Sequence, residues 1–108
     1  MYTHLEVNAW LADATVKVSA IDSATNWVCI GNGWWNIKDS HGKLIGWVEA
    51  SICCESGYVT FKYRKDRTYF SLATISPIKV NPRDLDQPGE FQKLVDFDAA
   101  ITAAYLIS

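Results

Sequence analysis

Trp27-Val28-Cys29-Ile30-Gly31-Asn32-Gly33-Trp34-Trp35-Asn36-Ile37-Lys38 decides the fold. Two short apolar runs flank Gly31-Asn32-Gly33. Asn-Gly is the strongest short hairpin signal, because both residues tolerate positive φ. The stretch predicts two antiparallel strands with Trp35 and Ile37 on one face. Successive side chains in a strand point to opposite faces, so Trp34 and Trp35 cannot enter the same core.

The same grammar continues downstream. Asp39-Ser40-His41-Gly42-Lys43 is turn chemistry. Leu44 to Cys53 is a long strand candidate, with Leu44, Val48 and Ile52 on one face and Trp47 and Glu49 on the other. Glu55-Ser56-Gly57 turns again. Tyr58 to Arg64 alternates Val59, Phe61 and Tyr63 against Thr60, Lys62 and Arg64. Lys65-Asp66 makes a tip, and Arg67 to Leu72 returns. Pro77 marks an edge in a last strand region, Ile75 to Val80. Turns at regular short intervals between aromatic strands predict a β-meander.

Upstream, Tyr2 to Val7 and Thr15 to Ile21 read as further strands, and Asn8 to Thr15 is either irregular or a short helical turn through Ala9 to Ala12 capped by Asn8. Asp22 to Asn26 is a turn. After the loop Asn81 to Gly89 the period changes. Asp96 caps a helix over Phe97 to Leu106, with Phe97, Ile101, Ala104 and Tyr105 on one stripe and Asp98 in the first turn. Glu90 to Val95 extends this helix or forms a final strand. The expected fold is α+β: one domain, residues 1–108, with an antiparallel meander of five to seven strands and one C-terminal helix on one face. A single helix leaves the other sheet face wet or available to a partner.

Composition narrows the function. The chain has 108 residues, 49% of them hydrophobic and 20% charged, as in ordinary globular domains. The N-terminus carries no basic start or apolar segment of the signal-peptide kind, and no apolar run is of membrane-spanning length. Cytoplasm is the expected compartment. Cys29, Cys53 and Cys54 form no spaced framework, which excludes a disulfide scaffold and predicts buried reduced thiols. No His or Cys spacing matches a metal half-site, and Gly31-Asn32-Gly33 matches no phosphate loop. His41 beside Ser40 lacks the separated segments of a nucleophile–base pair. The expectation is a non-enzymatic protein with no cofactor.

Charge and tryptophan point to binding. Net charge is −2, which disfavours a general phosphate-backbone binder. Within that balance, Lys62, Arg64, Lys65 and Arg67 form a basic segment broken only by Asp66 and flanked by Tyr58, Tyr63 and Tyr69. Asp84, Asp86, Glu90, Asp96 and Asp98 form an acidic one. Basic residues among aromatics suit single-stranded nucleic acid. They equally guard a hairpin edge. Five tryptophans, Trp10, Trp27, Trp34, Trp35 and Trp47, exceed what a half-covered sheet can bury, and Trp is enriched at binding hot spots. The predicted partner surface is Trp27, Trp34, Trp47 and Tyr58 with Lys62, Arg64, Lys65 and Arg67. Tyr105, Leu106 and Ile107 offer an apolar end on which a second copy could pack.

Phe97-Asp98-Ala99-Ala100-Ile101-Thr102-Ala103-Ala104 resembles the closing helix of small sheet-plus-helix domains, among them the minor DNA-binding domains of phage integrases. Length, composition and meander are similar to those of small phage and mobile-element proteins, including anti-CRISPR and other host-defence inhibitors. The resemblance implies an inhibitor or accessory protein that blocks a larger host assembly. The acidic balance departs from the integrase pattern, and no functional residue carries over. A small nucleic-acid-binding accessory protein is the alternative.

Overall fold

Thr3-His4-Leu5-Glu6 starts a helix where a strand is expected. In the computed structural model, which describes residues 1–21, 25–65 and 75–107 with side chains to 105, α1 runs over His4–Ser19. Thr3 Oγ1 accepts from Glu6 N–H at 3.2 Å, and Glu6 Oε2 accepts from Thr3 N–H at 2.9 Å. This reciprocal capping satisfies two otherwise orphaned donors. The Asp13–Lys17 ion pair, at 3.1 Å, follows one turn apart. The strands expected over Tyr2–Val7 and Thr15–Ile21 are therefore both corrected to helix. The alternation of Val16 and Val18 with Lys17 and Ser19 mimics a strand over four residues. The helical stripe Val7, Ala14, Thr15, Val18 is what is buried, while Val16 is exposed.

The sheet is the expected meander. β1 (Asn26–Gly31), β2 (Trp34–Lys38), β3 (Leu44–Ile52), β4 (Val59–Arg64) and β5 (Ile78–Val80) lie in chain order, each antiparallel to the next. Among the described residues there are five strands, the low end of the expected range. The return strand expected over Arg67–Leu72 lies outside the described residues.

Two details of register differ from expectation. The β1–β2 turn is not the mirror-image type with two left-handed residues. Gly33 has φ 75°, no described non-glycine residue has positive φ, and the register shifts between Cys29 and Gly31. A Cβ on Gly33 would stand 2.8 Å from the Ala50 carbonyl oxygen, so the position is reserved for glycine twice over. In β3, Ile37 pairs with Gly46 and Lys38 with Leu44, which leaves Ile45 as an extra residue. This bulge buries Ile45 and sends Leu44 to the face opposite Val48, correcting the expected grouping of the two.

The C-terminal helix, α2 (Pro88–Ile107), is longer than expected. It begins at Pro88, whose missing N–H costs nothing in a first turn, and Glu90–Val95 is helical. A turn of 3-10 helix at Pro82–Asp84, capped by Asn81, precedes it. Asp98 is thus mid-helix and buried, not in a solvated first turn.

Among the described residues there are two α-helices where one was expected, and both pack on the same sheet face. Ala14 and Val18 of α1 and Leu94, Phe97 and Ile101 of α2 share one core with Trp35, Ile37, Val48, Val59, Phe61 and Val80. Trp35 stacks on Phe61 with centroids 5.9 Å apart. The indole N–H of Trp35 donates to Ser19 Oγ at 3.0 Å. Thr15 Oγ1 accepts from Gly33 N–H at 3.0 Å, tying α1 to the β1–β2 turn. No helix among the described residues is long and apolar enough to cross a membrane.

Candidate functional site: the open face of the sheet

Strand parity places every second residue away from the helices. Trp34 pairs with Glu49, which pairs with Lys62; Asn36 pairs with Trp47, which pairs with Arg64. These six residues form two adjacent rows on the uncovered face. Direct cross-strand partners have Cβ atoms about 5 Å apart and diagonal ones about 7–8 Å, so Trp34 and Trp47 are diagonal neighbours. Trp34 is 45% exposed and Trp47 half-buried. Arg64 Nε lies 3.5 Å from Glu49 Oε2, across the two rows. Lys38 and Lys79 belong to the same face by register.

The face is electrically distinct. Among the described residues it carries Lys38, Lys62, Arg64 and Lys79 against Glu49. The helices and the turn before α2 carry Glu6, Asp13, Asp84, Asp86, Glu90, Asp96 and Asp98 against Lys17, Arg83 and Lys93. The molecule has a basic aromatic sheet side and an acidic helical side.

Of the residues expected to form the partner surface, Trp34, Trp47, Lys62 and Arg64 come together. Trp27 does not. It faces the helices, edge-on to Trp35 at 5.7 Å and to Phe97 at 6.3 Å. Its indole N–H donates to Asp98 Oδ1 at 2.8 Å, and Thr25 Oγ1 donates to the same oxygen. Asp98 is therefore an internal acceptor that fixes α2 to β1. Tyr58 and Lys65 are both exposed but stand at opposite ends of β4. Arg67 and Tyr69 lie outside the described residues. The basic residues Lys62 and Arg64 thus belong to the sheet face itself and not to a hairpin tip. Asn36, Lys38 and Lys79 lie on the same face; the first two were legible as alternate positions from Trp34.

The remaining polar clusters serve the fold. Arg83 lies over the Trp10 ring at 4.9 Å and the Tyr2 ring at 5.2 Å, with Nη1 donating to Tyr2 OH at 2.8 Å. This clamp holds the α1 N-terminus to the turn before α2 and occupies Trp10. Asp39 accepts from the N–H groups of Lys43 and His41, and from Tyr105 OH at 3.0 Å. Those donors, Lys43 N–H first, hold its carboxyl below the ordinary range. Tyr105 is thereby engaged within its own domain, and the Leu106 and Ile107 side chains lie outside those described.

The cysteines are not buried. Cys29 and Cys53 are exposed and Cys54 is half-buried. Cys29 sits on an edge strand, and the other two at the β3–β4 turn. The N–H groups of Ser56 and Glu55 hold the Cys53 thiol below its usual value. Cys54 Sγ stands 3.7 Å from His4 Nδ1. Among the described residues no group of three or more His, Cys, Asp or Glu is placed to hold a metal ion. A groove of about 920 Å³ between β5 and α2 is lined mainly by Ile78, Phe97, Ala100 and Ala104, with Lys79, Lys93 and Asp96 also lining it. No protein-family model, curated protein or solved structure matches the chain.

Proposed function

We propose that this protein is a non-enzymatic protein-binding module, an inhibitor or accessory factor of the phage or mobile-element kind. It docks its open sheet face on an acidic surface of a larger host assembly. The observation that carries this reading is the gathering of Trp34, Trp47, Lys62 and Arg64 on one uncovered face, while the carboxylates sit mostly on the other side. Exposed Trp beside cations supplies both parts of a typical interface: an aromatic anchor that excludes water, and a charged surround that steers encounter.

The test is affinity capture from host lysate with nuclease present. The intact protein and its Trp34→Ala and Lys62→Glu/Arg64→Glu variants are compared. A stoichiometric protein retained by the first and lost by both variants supports the reading. Equal retention by all three would sink it.

The same face suits a second reading, single-stranded nucleic acid, because Trp34 and Trp47 are spaced as diagonal neighbours with cations in both rows. Bases would stack on the indoles and phosphates would meet Lys62 and Arg64. Titration with fluorescent oligonucleotides at low salt separates the two. Affinity that falls steeply with salt favours nucleic acid, and no binding removes it.

A further inference from the structure

The two edges of the sheet are built differently. β5 is three residues long, contains Lys79 and follows Pro77 closely. Short length, lysine and proline are the usual means of stopping an edge from pairing with another strand. β1 has none of them. Asn26-Trp27-Val28-Cys29-Ile30-Gly31 contains no charge and no proline. Its one irregularity, the register shift after Cys29, is confined to the turn end and leaves Asn26 to Cys29 regularly paired with β2. The helices do not cover that end: Cys29, opposite fully buried Trp35, is exposed, and Ile30 is 53% exposed. Among the described residues, no backbone group outside β2 bonds to β1.

An edge strand presents alternate N–H and C=O groups that only another extended strand satisfies in a row. We infer that β1 is a pairing edge whose occupant is β1 of a second copy, antiparallel about a two-fold axis perpendicular to the sheet. Three features select self-pairing. The strand is neutral, so two copies bring no like charges face to face. Antiparallel pairing of identical strands closes as a two-fold dimer and leaves no propagating edge. Ile30, 53% exposed, lies at the turn end of β1, and the two-fold places this apolar side chain of each copy beside the partner strand. The product is one ten-stranded sheet with both basic aromatic faces on the same side. The inference stands independently of what that face binds.

Sedimentation across a concentration series is the first test, with the unmodified protein and its Ile30→Lys and Val28→Lys variants. Ile30 is exposed, so lysine there leaves the fold intact. The unmodified protein is expected to dimerise, and either lysine to weaken the dimer at least about tenfold, the size of effect expected when an edge charge is forced into a strand pair. Amide hydrogen exchange provides a readout without variants: protection of β1 amides should rise with protein concentration while that of β4 stays constant. A monomer at every concentration, or a dimer that both lysines leave unchanged, overturns self-pairing. So does capture of a foreign strand by a monomer that the lysines abolish.

Discussion

Trp34 and Trp35 differ by one position and have opposite fates, because strand parity sends one to solvent and the other under two helices. Trp35 is fully buried, stacked on Phe61 and bonded to Ser19. Trp35→Ala removes that packing and leaves a cavity, at a cost of about 3–5 kcal/mol. Trp34→Ala changes an exposed residue and should stay within about 0.5 kcal/mol of the parent. Urea denaturation of both variants measures the difference; equal losses would place Trp34 in the core and remove it from the binding face. Asp98 makes a related point for polar groups. Asp98→Ala removes the carboxylate oxygen that accepts from both the Trp27 indole N–H and the Thr25 hydroxyl, although that N–H keeps its 3.0 Å bond to Thr25 Oγ1, and the same measurement should show a loss of about 1–3 kcal/mol. Cys53 is chemically rather than structurally distinctive. The thiolate is the nucleophile, and the N–H groups of Ser56 and Glu55 stabilise it. Alkylation by iodoacetamide near pH 7, followed by peptide mass mapping, should modify Cys53 faster than Cys29, although both are exposed.

At the level of elements, the strands were legible and the first helix was not. Alternation and glycine-bearing turns located β1 to β4 closely, because each strand has a buried side and a wet side. The N-terminal segment misled because Val16 to Ser19 alternates over a span too short to separate a period of 2 from one of 3.6. The decisive signal was chemical: Thr3 and Glu6, three apart, form the capping box, and Asp13 and Lys17 are spaced for a helix. The site was legible in the same measure. Parity from Trp34 gave its face, but the inward turn of Trp27 depends on Asp98, seventy-one residues away, which no local pattern reveals. The start of α2 also carries a pH dependence. Asn81 N–H and, after it, Lys93 hold the Glu90 carboxyl below its ordinary value of 4.5. A carboxyl with a depressed folded value stabilises the fold fully above its unfolded value, and that contribution is lost as pH falls through the folded one. The Glu90 contribution to thermal stability should therefore be present in full and independent of pH near neutrality, and weaken below about pH 4.5. Glu90→Gln should melt lower than the parent near neutral pH, with the difference shrinking on acidification; a difference that grows on acidification would contradict this assignment.

Across the whole molecule, a net charge of −2 hides two opposed sides. Lys62 and Arg64 sit on the sheet, and seven of the carboxylates on the helices and the turn before α2, so the field that a partner meets depends on the side it approaches. Steering by such a field acts mainly on the association rate and is screened by salt, with a Debye length near 10 Å at 0.1 M. In the proposed docking, the aromatic contact would act after encounter, when water is expelled around the indoles, and so would govern dissociation. The two kinds of substitution on the face should therefore separate kinetically. With the captured protein partner on a biosensor, Lys62→Glu/Arg64→Glu should slow association about tenfold at low salt and much less at 0.5 M. Trp34→Ala should leave association almost unchanged and speed dissociation by a similar factor at either salt. Breaking the Arg64–Glu49 pair costs little stability, since exposed ion pairs are worth about 0–1 kcal/mol, so the rate change reports the field and not unfolding. If both substitutions altered only dissociation, the basic residues would be acting as local contacts. The segregation of charge between the two sides would then have no part in how the partner is found.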